Sequence, residues 1–227
     1  MFVISAAFSQ DAKVKPADTV RSKYLPTGLR LGTDLITLIK SRATQNFTGW
    51  EANADVDFYR YYLAVDYGTW SRRDSIVVRP LPALYTPTTK GKYENHGHYF
   101  RVGMDINFLL KDPDHNMFFI GFRYGVSYFG ESLNYHFPDH YYGIITKSLT
   151  ENNLTGHWAE ITIGIRIKIF PGFWMGYTGR LKLAPGVSGG DGQLLAHDIP
   201  GYGLASHANY WGFNYQLFWR IPLRKIK

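Results

Sequence analysis

The chain of 227 residues contains no cysteine. A disulfide scaffold, a thiolate nucleophile and a cysteine-ligated metal are therefore excluded. No run approaches the roughly 18 apolar residues of a membrane-spanning helix, which excludes a helical membrane protein. Charge is scarce at 19%, below the roughly 25% of an ordinary soluble domain. Bases outnumber acids, for a net charge of +7, but they are scattered, and the closest groupings are Arg72-Arg73 and Arg224-Lys225. Nucleic-acid binding needs a concentrated basic face, so no nucleic-acid partner is expected. The chain is instead rich in aromatic residues and glycine: Tyr 17, Phe 15, Trp 6 and Gly 23. A hydrophobic content of 45% is enough to bury a core and argues against disorder. The expected class is all-β.

The first ten residues are apolar and then small, before Asp11 opens a polar stretch. They resemble the end of a secretory signal peptide without its basic start. The expected organisation is a signal segment at 1–10, a periplasmic arm at 11–26, a transmembrane β-barrel at 27–223 and a basic tail at 224–227.

From Thr27 onward the pattern has period two. Phe100, Val102, Met104, Ile106 and Phe108 fall on one face, with Arg101, Gly103, Asp105 and Asn107 on the other. Such alternation is the strand signal. It recurs eight times, at 28–39, 49–58, 60–70, 97–108, 117–128, 158–170, 173–183 and 210–221. Short connections at Tyr59, at the turn 112–116 and at Pro171-Gly172 alternate with mostly long ones at 71–95, 129–157 and 184–209. Short turns on one end and long loops on the other are the asymmetry of an outer-membrane barrel. The expected fold is an eight-stranded antiparallel up-and-down transmembrane barrel, with short periplasmic turns and long extracellular loops.

The polar face carries acids and bases in near balance: Asp34, Glu51, Asp55, Asp57, Asp66, Asp105 and Glu160, against Arg30, Arg101, Arg123, Arg166, Lys168, Arg180, Lys182 and Arg220. Balance suits a closed interior, because an unpaired buried charge costs several kcal/mol. Glycines on the same face leave room for long arginines inside a narrow ring. A soluble barrel around an apolar cavity would turn the faces the other way. Trp50, Tyr61, Tyr67, Tyr128, Tyr177, Trp211 and Trp219 stand near the ends of the apolar rows, where interfacial aromatic girdles lie. That favours the membrane arrangement.

Several motifs recur in order: Gly28-Leu29-Arg30-Leu31-Gly32-Thr33-Asp34, Glu51-Ala52-Asn53-Ala54-Asp55, Asp66-Tyr67-Gly68, Gly103-Met104-Asp105-Ile106-Asn107, Gly121-Phe122-Arg123-Tyr124-Gly125, Trp158-Ala159-Glu160 and Ile199-Pro200-Gly201-Tyr202-Gly203. Together, over about 27–222, they resemble a Bacteroidota outer-membrane barrel family known as domain of unknown function 6048. The resemblance implies a location in a bacterial outer membrane and no particular activity. The chain departs from many such barrels in not ending on an aromatic residue; Trp219 stands nearest the end, before a basic tail.

Candidate chemistry is sparse. His136-Phe137-Pro138-Asp139-His140 offers two imidazoles and a carboxylate that could act on a lipid or peptide at the rim, although Pro138 prevents a helix that would align them. His96-Gly97-His98 is a second pair without a third ligand at a recognisable spacing. The glycine-rich stretch 186–192 lacks the lysine and helix of a phosphate-binding loop and reads as a flexible hairpin tip. Arg72, Arg73, Arg79, Lys90 and Lys92 fall in one long loop, where they would face the phosphates of lipopolysaccharide. No cofactor and no metal is implied. The expected role is structural or accessory, within an outer-membrane complex of protein partners. The alternatives are an enzyme at the outer rim using His136, Asp139 or His140, and a narrow channel.

Overall fold

The computed structural model describes residues 25–78, 88–139, 141–192 and 194–224. The expected signal segment, most of the arm, Arg79, His140 and the last residues of the basic tail lie outside them. The chain is all-β with one helix. Its strands are β1 (Gly28–Asp34), β2 (Phe47–Phe58), β3 (Tyr61–Val78), β4 (Thr89–Asn107), β5 (Met117–Asp139), β6 (Gly143–Phe170), β7 (Phe173–Ser188), the short pair β8 (Asp198–Ile199) and β9 (Gly203–Leu204), and β10 (Asn209–Pro222). Helix α1 (Leu35–Ala43) follows β1. Eight strands close into an antiparallel ring in the order β1-β10-β7-β6-β5-β4-β3-β2. The first and last strands meet, from Gly28 opposite Pro222 to Asp34 opposite Gln216.

Two expectations about element boundaries are corrected. The first strand does not run to Ile39; it stops at Asp34 and α1 begins. Leu35, Thr37 and Ile39 keep a period of two, but Leu35, Leu38 and Ile39 also share a helical face. Asp34 decides between the two readings. Its backbone is extended, and its carboxylate accepts from Thr37 N at 3.0 Å as a helix N-cap. Lys40 and Arg42 lie in the last turn, where cations suit the helix dipole. Above Asp34 the helix fills the gap between β2 and β10, packed against both. The open strand edges there are met by side chains. Asp34 accepts from Tyr215 N at 2.9 Å, and Ser41 Oγ accepts from Gly49 N at 3.1 Å.

The second correction concerns the long loops. The described residues of 71–95 and 129–157 are almost all strand. β3 and β4 pair without a register break from Tyr61–Ile106 to Val78–Thr89. β5 and β6 pair from Met117–Arg166 to Asp139–Gly143, with one shift between Phe129 and Glu131. These four strands rise as a curved sheet beyond the rest of the ring. Alternation continues along them, but the chemistry of the faces is exchanged. Low on β4 and β5, Arg101, Asp105 and Arg123 point inward while Phe100, Val102, Met104, Phe122 and Tyr124 point outward. High on the same strands, Tyr93, Leu133, Tyr135 and Phe137 are buried inside while Lys92, Glu94, Asn134 and His136 are exposed. An apolar-outward criterion therefore ends these strands too early.

Replacing Asp34 with Ala removes both the helix cap and the partner of the partly buried Tyr215 N–H. The expected loss is about 2–4 kcal/mol of stability, read as a lower denaturant midpoint of the folded protein. Asp34→Asn, which keeps an acceptor oxygen, is expected to lose much less.

Candidate functional site

Inside the ring the expected charges come together in two tiers. In the lower tier, Arg30 Nε lies 2.7 Å from Asp55, and Arg166 Nη1 lies 2.6 Å from the other oxygen of that carboxylate. Arg123 grips Asp105 with both terminal nitrogens at 2.7 Å, and Arg166 reaches Asp105 at 3.6 Å. In the upper tier, Arg101 lies 2.6 Å from Glu51, 3.3 Å from Asp66 and 3.7 Å from Glu160. Arg180 lies 2.9 Å from Glu160 and 3.1 Å from Asp66. Trp158 Nε1 and Tyr99 Oη donate to Glu160 and Glu51 at 2.7 and 2.6 Å. The guanidinium of Arg166 also lies over the rings of Phe119 and Phe218, at 4.9 and 4.6 Å, an arrangement that favours a cation. All five arginines are 4% exposed or less.

Around these tiers the expected list divides. Asp57 closes the short-turn end: its carboxylate accepts from Thr27 N, Gly28 N and Arg220 Nη2 at 2.7, 2.8 and 2.9 Å. Among the described residues Asp34 makes no ion pair with an arginine; it serves α1 and β10. Lys168 is not an interior charge. It is half-buried and bonds Asp114 in the β4–β5 turn at 2.7 Å. The interior glycines make room for more than arginine. Gly28 clears Arg220, but a Cβ at Gly68 or Gly125 would strike the ring of Tyr99 or Trp158.

The mouth on the long-connection side is closed by the segment between β7 and β10. The β8–β9 hairpin turns at Gly201, whose φ of +83 suits glycine. It buries Ile199 and Tyr202 completely against Tyr99, Phe129, Leu154 and Trp158. Lys182 Nζ donates to the carbonyls of Gly201 and Tyr202 at 2.6 and 2.9 Å. Glu131 accepts from Asp198 N, His197 N, Asn95 Nδ2 and Tyr93 Oη at 3.0, 3.1, 3.0 and 2.6 Å. Opposite it in the β5–β6 register, Glu151 accepts from Asp191 N at 2.6 Å and Leu194 N at 3.1 Å. Residues 186–192 thus lead into a pinned cap. Asp198 is buried 2.9 Å from Arg72. Burial pushes its carboxyl above the usual range, and the Arg72 guanidinium only partly offsets this. Glu131, Glu151 and Asp198 were invisible as site residues because their segments read as loops.

The outward aromatics form a partial belt. Trp50, Tyr67 and Phe100 are linked by ring separations of 5.5 and 4.7 Å, and His98 joins Tyr67 to Tyr128 at 6.3 and 5.6 Å. Trp211 is exposed near the upper end of β10. Tyr61 opens β3, and Trp219 lies opposite Phe173 and Leu31 near the short-turn end. Tyr177 stands inside the apolar row, stacked on Phe213 at 6.1 Å, not at the row's end.

Of the residues expected at the rim, His136 and Asp139 are each engaged locally, and His140 lies outside the described residues. His136 Nδ1 is 2.8 Å from Thr146 Oγ1, and Asp139 accepts from Tyr141 N and Tyr142 N at 2.9 and 3.0 Å, which shapes the β5–β6 turn. Among the described residues, no group of three or more His, Cys, Asp or Glu is arranged to hold a metal. Of the basic set, Arg72 turns inward to Asp198 and also meets Asp74, and Arg73 Nε lies 3.5 Å from Glu94. Lys90 and Lys92 are exposed on β4.

A family described as Domain of unknown function (DUF6048) matches residues 1–226. No curated protein and no solved structure matches the chain.

Two outcomes follow from this geometry. Asp55→Ala strands Arg30 in the interior and leaves Arg166 only its longer contact to Asp105, with an expected loss of about 3–5 kcal/mol in denaturant unfolding. In the short β4–β5 turn, burial and then nearby Arg220 hold the His115 imidazole below its ordinary value, which is about 6.5. The folded state thus prefers neutral His115. That contribution is present above the ordinary value and is lost as pH falls through the lower folded value. An NMR titration of His115 is expected to show a midpoint below about 6.5, with the turn loosening on its acid side.

Proposed function

The chain belongs to the DUF6048 family, a membership that assigns no activity, and from its geometry we propose a non-catalytic outer-membrane β-barrel protein that serves as a structural or accessory subunit. The exchange of polarity between the faces of β4 and β5 carries this reading. Strand pairing there is continuous, so the change reflects what surrounds the ring. Beside the buried ion pairs the outward row is Phe100, Val102, Met104 and Ile106 on β4 with Phe108 just after it, and Ile161, Ile163, Ile165, Ile167 and Ile169 on β6, each 38–51% exposed. Eight steps from Phe100 to Phe108 cover about 26 Å along the strand at 3.3 Å per residue, suited to a tilted crossing of a bilayer core. In water this belt would be a far larger apolar patch than a soluble monomer exposes. Above it, Glu94, Lys92 and Asn134 suit water.

The accessory role draws support from two features. Charge pairs and the hairpin cap fill the ring, an arrangement suited to rigidity rather than passage of solutes. The protruding four-stranded sheet ends in Tyr141, Tyr142 and Ile144, which are 79–86% exposed and present an apolar tip to another protein. The His136 and Asp139 contacts described above favour a turn over a hydrolytic site.

The folded protein in detergent is expected to run faster on a gel before boiling than after it. It is also expected to lose co-purifying partners when Tyr141, Tyr142 and Ile144 are all changed to Asp. Solubility without detergent, together with unchanged mobility on boiling, would overturn the membrane reading. Stepwise conductance in a planar bilayer would overturn the closed interior.

A further inference from the structure

The outer wall carries a groove of about 370 Å³ at the level where its polarity changes. Three strands line it: His96 and His98 from β4, Tyr128 from β5, and Asn152, Asn153 and Thr155 from β6. Its floor is Gly130, paired with His96. A Cβ at Gly130 would stand 3.2 Å from Asn152 Oδ1 and 3.3 Å from His96 Cε1. The absence of a side chain there keeps the space between those two groups open. β6 bulges at the same place. The pairing shifts between Phe129 and Glu131, Asn153 takes a φ of +60, and Asn152 and Asn153 are both exposed. A strand in regular alternation would turn one of the two inward; a bulge re-aims it.

The lining carries no carboxylate side chain. Its polar side chains are imidazole, amide and hydroxyl groups, each able to donate to a ligand. Glu94, the next outward residue above His96 on β4, is taken up by Arg73. Such a set suits a ligand with several acceptor oxygens. Directly below, the same strands turn apolar: Phe100 and Val102 follow His98, and Val126 and Tyr124 follow Tyr128. A ligand with its polar end in the groove would lay an apolar body along those side chains.

We propose that this groove binds the phosphate group of a membrane lipid, whose acyl chains lie along Phe100, Val102, Tyr124 and Val126. The inference rests on the membrane reading above. The continuous apolar track beneath the donors is what favours a lipid-borne phosphate over a free one.

The test uses the full chain folded in detergent. Native mass spectrometry measures retention of dioctanoyl phosphatidic acid, dioctanoylglycerol as the phosphate-free control, and inorganic phosphate as competitor. Each variant is first checked for heat-modifiable mobility. Retention of the phosphatidic acid is expected to exceed that of the diacylglycerol by about tenfold, the effect of two or so hydrogen bonds. His96→Ala with His98→Ala is expected to lose that preference, as is Gly130→Val, which fills the floor and leaves every donor in place. Equal retention of the two lipids, or a preference unchanged in folded variants, would overturn the groove and leave the membrane reading standing. Displacement of the lipid by millimolar inorganic phosphate would make free phosphate the ligand and overturn the lipid assignment. Failure of the parent chain to show a heat-modifiable folded form would overturn both.

Discussion

Five arginines lie almost wholly out of solvent inside the ring, and burial of an unpaired guanidinium would cost more than a small fold has to spare. Asp55, Asp105, Asp66, Glu160 and Glu51 make that interior possible. The rest of the architecture follows from this constraint. Each carboxylate must come from a strand at the right height, so register is fixed, since a slip of one residue would turn every charge outward. With charges held inside at alternate positions, the intervening residues face out and must match the surroundings. The apolar belt and the ion pairs are thus two expressions of one alternation.

Where the ion pairs end, the interior needs another filling. Tyr93, Leu133, Tyr135 and Phe137 pack inside the raised sheet, and Ile199 and Tyr202 stop the mouth below them. The cap is held by few apolar side chains and many directed bonds. Glu131 and Glu151 stand opposite each other and would repel if left bare, but each is bonded to backbone N–H groups of the folded-back segment. Acceptance of several N–H groups stabilises a buried carboxylate. The segment and the two acids therefore depend on each other.

Much of this was legible in the sequence, because period two is a strong signal and the interior charges announce themselves by residue type. The five arginines, their five carboxylates, Asp57 and Arg220 all stand on one face of the strands in the sequence, although which acid meets which base is not legible there. What was missed has a common cause. Strands were recognised by an apolar outward row, so β3 to β6 were cut short where Lys92, Glu94 and Asn134 take over that row. Glu131 and Glu151 were lost with them. Asp34 is interior as its place in the alternation implies, but its role as a helix cap is masked because period two persists through Leu35, Thr37 and Ile39; the competing signal is an acid three residues before Thr37, with Lys40 and Arg42 one turn later. Gly130 carries no sign in isolation, since its meaning depends on the β6 bulge across from it.

The span of chain between ion-pair partners has a kinetic consequence. Arg166 is 111 residues from Asp55, Arg180 is 114 from Asp66, and Arg220 is 163 from Asp57. Arg30 meets Asp55 on the next strand, and Arg101 reaches back to Glu51 and Asp66, but each tier is completed only when Arg166 of β6 or Arg180 of β7 arrives. Contacts this remote slow folding, because the loop must close before the contact rewards it. Closure of the ring and completion of its tiers must then come late and together, after which a strand can leave only by exposing several charges at once. Slow assembly and slow release are the two sides of that barrier.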